Sequence, residues 1–299
     1  MLVHRARYVR NPKQSMKTYT RSRISSLLLS ATALLFALSS PLQAQKSPKP
    51  LKVLLITGGC CHSYATQKNI IKKGLEARAN VVVDQIHTDD SSNNPPLAIY
   101  RNPNYAKGYD VVIHDECAAG MADVSVVNDV LAPHRNGIPG VNLHCAMHSY
   151  RVGNHREPAV PGTNDNLWFD YLGIQSSGHG PKEPIAISFT NTEHPITKTL
   201  EDWATVEEEL YNNVQVFPTS KALAKGFQFQ PKRKAKNGNV IAAKNDEAVV
   251  VWTNEYHGTR VFSTTIGHFD ETVADDRYLD LVTRGLLWTC KKLNDNYLK

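Results

Sequence analysis

An α/β fold built on a mostly parallel sheet, flanked by helices and extended by a C-terminal β-hairpin, is the architecture this sequence predicts. Three observations carry that prediction. Short apolar runs bounded by glycine alternate with stretches of helical period through the first half of the chain, as strands do when helices cross between them. The second half is richer in strand-like segments and closes on two alternating runs joined by a tight loop. Three predicted strands from distant parts of the chain each end on a histidine, at the sheet edge where open parallel sheets bind ligands.

The elements follow in order. Leu51–Thr57 is a continuous apolar run closed by Gly58-Gly59, the mark of a strand buried on both faces. Thr66–Arg78 sets Ile70, Ile71, Gly74 and Leu75 on one stripe and reads as a helix. Val81–Ile86 is a second strand, and Asp89–Lys107, rich in Asn, Pro and Asp, is a long loop. A third strand, Tyr109–His114, and a helix over Ala122–His134 lead to Gly137-Ile138-Pro139, which opens a fourth strand. That strand breaks abruptly into a helix after Leu143. Residues 151–181 are irregular around a short helix near Leu167–Leu172. Strands then fall at Ile185–Thr190, Val206–Tyr211 and Ala222–Phe229, followed by the hairpin of Ala248–Thr253 with Thr259–Thr265. A closing helix, Asp275–Lys291, aligns Tyr278, Leu281, Val282, Gly285 and Trp288 on one face. Residues 51–292 thus read as one domain after a linker at 45–50, with 293–299 as a tail.

Residues 1–44 stand apart. Arg21 and Arg23 precede the apolar run Leu27–Leu38 and a small-residue end at Ala44, the pattern of an export signal. The run is about a dozen residues, short of the ~20 that span a bilayer, so the expected product is periplasmic or secreted and not held in a membrane. The segment carries seven of the 34 basic residues and none of the 28 acidic ones. The remainder is therefore nearly neutral, and no electrostatic case for nucleic acid survives. The five cysteines form no disulfide framework and no C-x-x-C motif. A bridge from Cys60 or Cys61 to Cys145 stays open, as do Cys145 as nucleophile and Cys145 as an inert buried thiol.

The chemistry concentrates at the strand ends. The fourth strand runs into His144-Cys145-Ala146-Met147-His148, the first into Gly58-Gly59-Cys60-Cys61-His62, and the last into Gly267-His268. A sharp strand-to-helix elbow exposes its tip residue beside free helical N–H groups, and here the tip is His144. Glycines around His179 present one side chain on a tight turn, and in the strand Glu207–Tyr211 the residues Glu209 and Tyr211 share a face. His114, next to Asp115, is the weakest candidate of the group. Trp168 and Tyr171 read as core, with stacking on a sugar ring as the alternative. His144 and His148 lie four apart, suited to two ligands on one α-helical face, but no His-Glu-x-x-His motif accompanies them, and a divalent metal is left open.

Together these segments resemble the ThuA-like (trehalose-utilisation) family, of flavodoxin-like fold related to class I glutamine amidotransferases. The resemblance runs over residues 51–290. It rests on Leu54–His62, the elbow Gly140–Arg151, Gly178-His179-Gly180, Thr192–Thr197, Glu208-Glu209-Leu210-Tyr211, Gly258–Phe262 and Gly267-His268. The resemblance implies a role with disaccharides and oxidised (keto) sugars. It does not carry over the amidotransferase cysteine, because histidine holds the tip. The expectation is an exported protein acting on a small-molecule carbohydrate by histidine acid/base chemistry. His144, His62 and Glu209 would be catalytic, and His148, Arg151, His179, His268 and Tyr211 would bind substrate. A non-catalytic sugar-binding protein and a Cys145-dependent hydrolase are the alternatives; self-association into a homo-oligomer is left open.

Overall fold

The sheet grows outward from β1 (Leu51–Gly59), buried from Val53 onward. In this computed structural model, which describes residues 48–235 and 237–299, β1 pairs in parallel with β2 (Val81–Thr88) and with β3 (Val111–Cys117). β4 (Gly140–Leu143) lies parallel to β3. Four further strands, β5 (His179–Phe189), β6 (Trp203–Tyr211), β7 (Lys221–Gln230) and β8 (Lys244–Tyr256), pair antiparallel, and β9 (Thr259–Thr264) joins the two halves. Among the described residues the central sheet has nine strands, in the order β2-β1-β3-β4-β9-β8-β7-β5-β6. The export signal expected over residues 1–44 lies outside the described residues. Among those residues no helix is long and apolar enough to cross a membrane.

Alternation along β1 explains the two apolar layers. Val53 and Leu55 face α1 (Tyr64–Arg78) and α5 (Asp276–Thr289), which follows the short α4 (Asp270–Val273), whereas Leu54 and Ile56 face α2 (Val124–Arg135) and α3 (Leu167–Leu172). Successive strand side chains point to opposite faces, so a strand covered on both sides is apolar throughout. Asp123 caps α2 by accepting from the N–H groups of Ser125 and Val126. In α5 the absent side chain of Gly285 admits the ring of Phe262, which would stand 2.5 Å from a Cβ there.

The hairpin extends the sheet as expected, its second strand, β9, lying beside β4 as the fifth parallel strand. Three details differ from expectation. β3 runs on to Cys117, past the predicted end at His114. The elbow continues as a 3₁₀ turn over His144–His148 and not as an α-helix. The last residues do not hang free, because Asn80 N–H donates to the Tyr297 carbonyl and Lys299 N–H to that of Arg78. Trp168 and Tyr171 are buried in the core, which removes them as sugar-stacking platforms.

Gly58 and Gly59 close β1 with φ of +133° and +96°. Their lack of side chains serves neighbouring strands: a Cβ on Gly58 would stand 2.7 Å from the Thr88 carbonyl, and one on Gly59 would collide with the Cys117 carbonyl. Gly108, also at positive φ, has open space around it. Gly59→Ala should therefore cost about 2–4 kcal/mol, from conformation plus overpacking. Gly108→Ala should cost only about 1–2 kcal/mol, from conformation alone. Urea unfolding of the two variants checks this, and equal losses would contradict it.

Candidate functional site

Three strand ends and one antiparallel strand build a single cluster. At the end of β4 the chain turns so sharply that His144 takes a positive φ of 42°, a strained geometry that needs support from its surroundings. Support comes from Trp168, whose indole N–H donates to the Ala146 carbonyl (2.9 Å), and from Ser149, whose hydroxyl donates to the Glu116 carbonyl (2.8 Å). The loop after β1 brings His62 in, and the loop after β9 brings His268. Ring centroids are 4.6 Å apart for His62–His144, 4.6 Å for His62–His268 and 5.5 Å for His144–His268.

Glu209 of β6 faces this group. Its Oε2 lies 3.4 Å from His268 Nδ1 and 3.6 Å from both His144 Nε2 and His179 Nε2, and its Oε1 lies 3.9 Å from Lys182 Nζ. Burial alone would raise the Glu209 carboxyl, but the imidazoles of His144, His268 and His179 at 3.4–3.6 Å outweigh it. They hold the group well below the usual carboxylate range. His62 moves the other way for an imidazole: burial first, then the neighbouring rings of His144 and His268, push it down to about 2.

Backbone carbonyls fix the tautomers. His144 Nδ1–H donates to the Thr265 carbonyl (2.6 Å), which turns Nε2 toward Glu209 and the Tyr211 hydroxyl (3.3 Å). The His268 carbonyl accepts from Gln67 Nε2 (3.0 Å) and from His62 Nδ1–H (3.4 Å). Tyr211 stacks on His148 with centroids 4.1 Å apart and rings 3° from parallel, and more loosely on His179. His148 Nε2 meets the Ser176 hydroxyl at 2.9 Å, and burial, before the nearby Arg151, holds that ring well below its ordinary pKa. Arg151 itself has Nε and Nη1 buried without a hydrogen-bond partner, and burial pushes it down to about 10. A polar cavity of about 410 Å³ opens at His179 and Tyr211 and is lined further by Asn212, Gln230 and Arg233. A second, of about 210 Å³, opens at His62.

The eight residues expected from sequence thus fall in one neighbourhood, with two changes of detail. A 3₁₀ turn has three residues per turn, so His144 and His148 do not share a face, and His148 pairs with Ser176 away from the three-ring group. Glu208 and Glu209 are both buried, on opposite faces of β6. Glu208 accepts the His268 N–H (2.9 Å) and so fixes the backbone of that residue; an acidic run by itself does not mark a buried acceptor. Gln67 was equally invisible, since nothing in a helical stripe marks a glutamine that reaches a distant carbonyl. Cys145 is joined to Cys117, not to Cys60 or Cys61, because β3 continues to Cys117 and stands beside the elbow. Cys60, Cys61 and Cys290 are free. Cys145 therefore offers no thiol for nucleophilic attack.

A mixed, mostly parallel α/β sheet covered on both faces, with a sharp turn at His144 after β4, defines the class of fold. The chain belongs to the ThuA family, described as trehalose utilisation, whose profile matches residues 52–289. It is similar in fold to ThuA-like proteins of Bacteroides uniformis ATCC 8492 and Parabacteroides merdae ATCC 43184. The first has a TM-score of 0.55 at 18% identity, over 83% of this chain and 94% of that one. The second has a TM-score of 0.54 at 18% identity, over 81% and 90%. No curated protein matches the chain.

His114 stands outside the cluster, in a buried network behind the elbow. Its Nδ1 lies 2.9 Å from Glu116 Oε1, which also accepts from the hydroxyls of Tyr100 and Tyr150 (2.6 Å each). Its Nε2 lies 3.0 Å from His134 Nε2, and His134 Nδ1–H donates to the Ile138 carbonyl (2.7 Å). Burial, then the adjacent His114, pushes His134 down to about 3. The unfolded chain takes a proton on this ring below about 6.5 and the folded protein does not. Its share of stability is therefore full above that pH and is lost at about 1.4 kcal/mol per unit as pH falls toward about 3. His134→Gln should remove about one proton from the pH slope of urea stability between pH 6 and 4. An unchanged slope would contradict the assignment.

Proposed function

We propose that this protein acts on a disaccharide or keto-sugar by proton transfer at the Glu209–imidazole cluster, after export from the cytoplasm. The observation that carries the reading is Glu209: an ionised, buried carboxylate set among imidazoles, one of which, His179, also lines a polar cavity. The cavity volume falls within the ~300–1,000 Å³ of small-molecule sites, and its amide and guanidinium lining suits a ligand rich in hydroxyls. The family description favours a sugar. The Cys117–Cys145 disulfide favours an oxidising compartment, in keeping with the signal-like pattern of residues 1–44.

Roles follow from geometry. His179, the exposed imidazole of the set, accepts the proton, and Glu209 Oε2, 3.6 Å from the rings of both His179 and His144, stabilises the resulting positive charge. His62, held down to about 2, is too weak a base near neutrality and bounds the site instead. Arg151, with unpartnered buried N–H groups, binds a carbonyl or hydroxyl oxygen together with His148, His268 and Tyr211. Removal of the proton beside a ketone leaves an enediolate; its return to the neighbouring carbon isomerises the sugar, and loss of a β-oxygen substituent eliminates it.

Incubation with the keto form of a disaccharide in D₂O, read by mass spectrometry, tests this. The wild-type protein should introduce deuterium beside the carbonyl, and Glu209→Gln should slow that exchange by at least about 100-fold. Absence of exchange by the wild-type protein, or full exchange by the variant, would refute the reading.

A further inference from the structure

We infer that His62, His144 and His268 form a binding site for one divalent transition-metal ion, with the Glu209 carboxylate beside it. One ring nitrogen from each of the three lies within 4.8 Å of the others. Ligation at 2.0–2.1 Å asks such nitrogens to stand about 3.4 Å apart, a closure that modest ring rotation supplies.

The hydrogen bonds behind the rings already suit ligation. The Thr265 carbonyl takes the Nδ1–H of His144, and the His268 carbonyl takes that of His62. Each bond leaves Nε2 as a bare lone pair, and a backbone carbonyl on the remote N–H is the usual support of a metal-bound imidazole. The His144 lone pair then faces the Glu209 carboxylate at 3.6 Å, acceptor against acceptor, which is repulsive without positive charge between them. His268 Nδ1 is buried and has no hydrogen-bond partner, although Glu209 Oε2 is 3.4 Å away. One cation in the middle answers all three features.

Donor chemistry narrows the ion. Imidazole nitrogens suit zinc, iron, nickel or copper, not magnesium or calcium, and three histidines with an open fourth position make a catalytic type of centre. The neighbouring thiols compete poorly. Cys117 and Cys145 are consumed in the disulfide, and Cys61 is exposed, outside the buried ring cluster. The ion site stands independently of the sugar reading. Joined to it, the ion would polarise a ligand carbonyl, His144 would serve as ligand, and proton transfer would fall to Glu209 and His179.

The test uses the exported chain, stripped with a chelator and titrated with Co²⁺ by visible absorption and with Zn²⁺ by calorimetry. One ion per chain is expected, bound at least about 100-fold more weakly by His268→Ala and His144→Ala. Cys61→Ser and His179→Ala should bind as the wild type does. Should the strained elbow of His144→Ala fail to fold, His62→Ala carries the same expectation. No ion bound by the wild-type protein, or binding lost in Cys61→Ser and kept in His62→Ala, would overturn the site. Deuterium exchange from the keto-sugar is read on the same samples. Ion binding without exchange upholds this site and counts only against the reading above.

Discussion

A buried carboxylate among imidazoles is the constraint around which this fold is organised. Glu209 is ionised, sits 6% exposed, and meets three histidine rings at 3.4–3.6 Å. An isolated charge at such a site would cost several kcal/mol, so its neighbours must supply compensating charge or donors. Much of the surrounding structure serves that need: the strained tip at His144, the Thr265 carbonyl that orients it, and Glu208, which anchors the His268 backbone from the opposite face of the same strand.

Parallel strand ends supply the rings and an antiparallel strand supplies the acid. β1, β4 and β9 deliver His62, His144 and His268 at one edge of the sheet, where the loops leave the layer and backbone donors are free. β6 lies at the far end of the sheet order, yet its last residues return to this edge. The antiparallel half is thus not an appendage but the source of Glu209 and Tyr211. The elbow presents the imidazole of His144, and the adjacent cysteine is locked to β3.

The fold was largely legible in the sequence because period-two and helical-period apolar patterns are local. Glycines at strand ends are local too. The convergence of His62, His144 and His268 was legible for a less local reason: ligands gather beyond the carboxyl ends of parallel strands, so histidines placed there are expected to meet. What escaped depends on contacts across the sheet. The pairing of Cys145 with Cys117 required knowing that β3 extends three residues beyond its apolar run. The burial of both Glu208 and Glu209 required knowing that both faces of β6 are covered at that point. The separation of His148 from the ring cluster required the 3₁₀ form of the elbow, which spacing alone does not reveal.

The claim that the imidazoles are held, tautomer and all, around Glu209 is tested most directly by ¹⁵N NMR of histidine-labelled protein between pH 4 and 8. The account predicts that His144 carries its proton on Nδ1 and that His62 stays neutral down to the lowest pH of the series. A His62 ring that titrates near its ordinary value of about 6.5, or a His144 ring with a bare Nδ1, would contradict it.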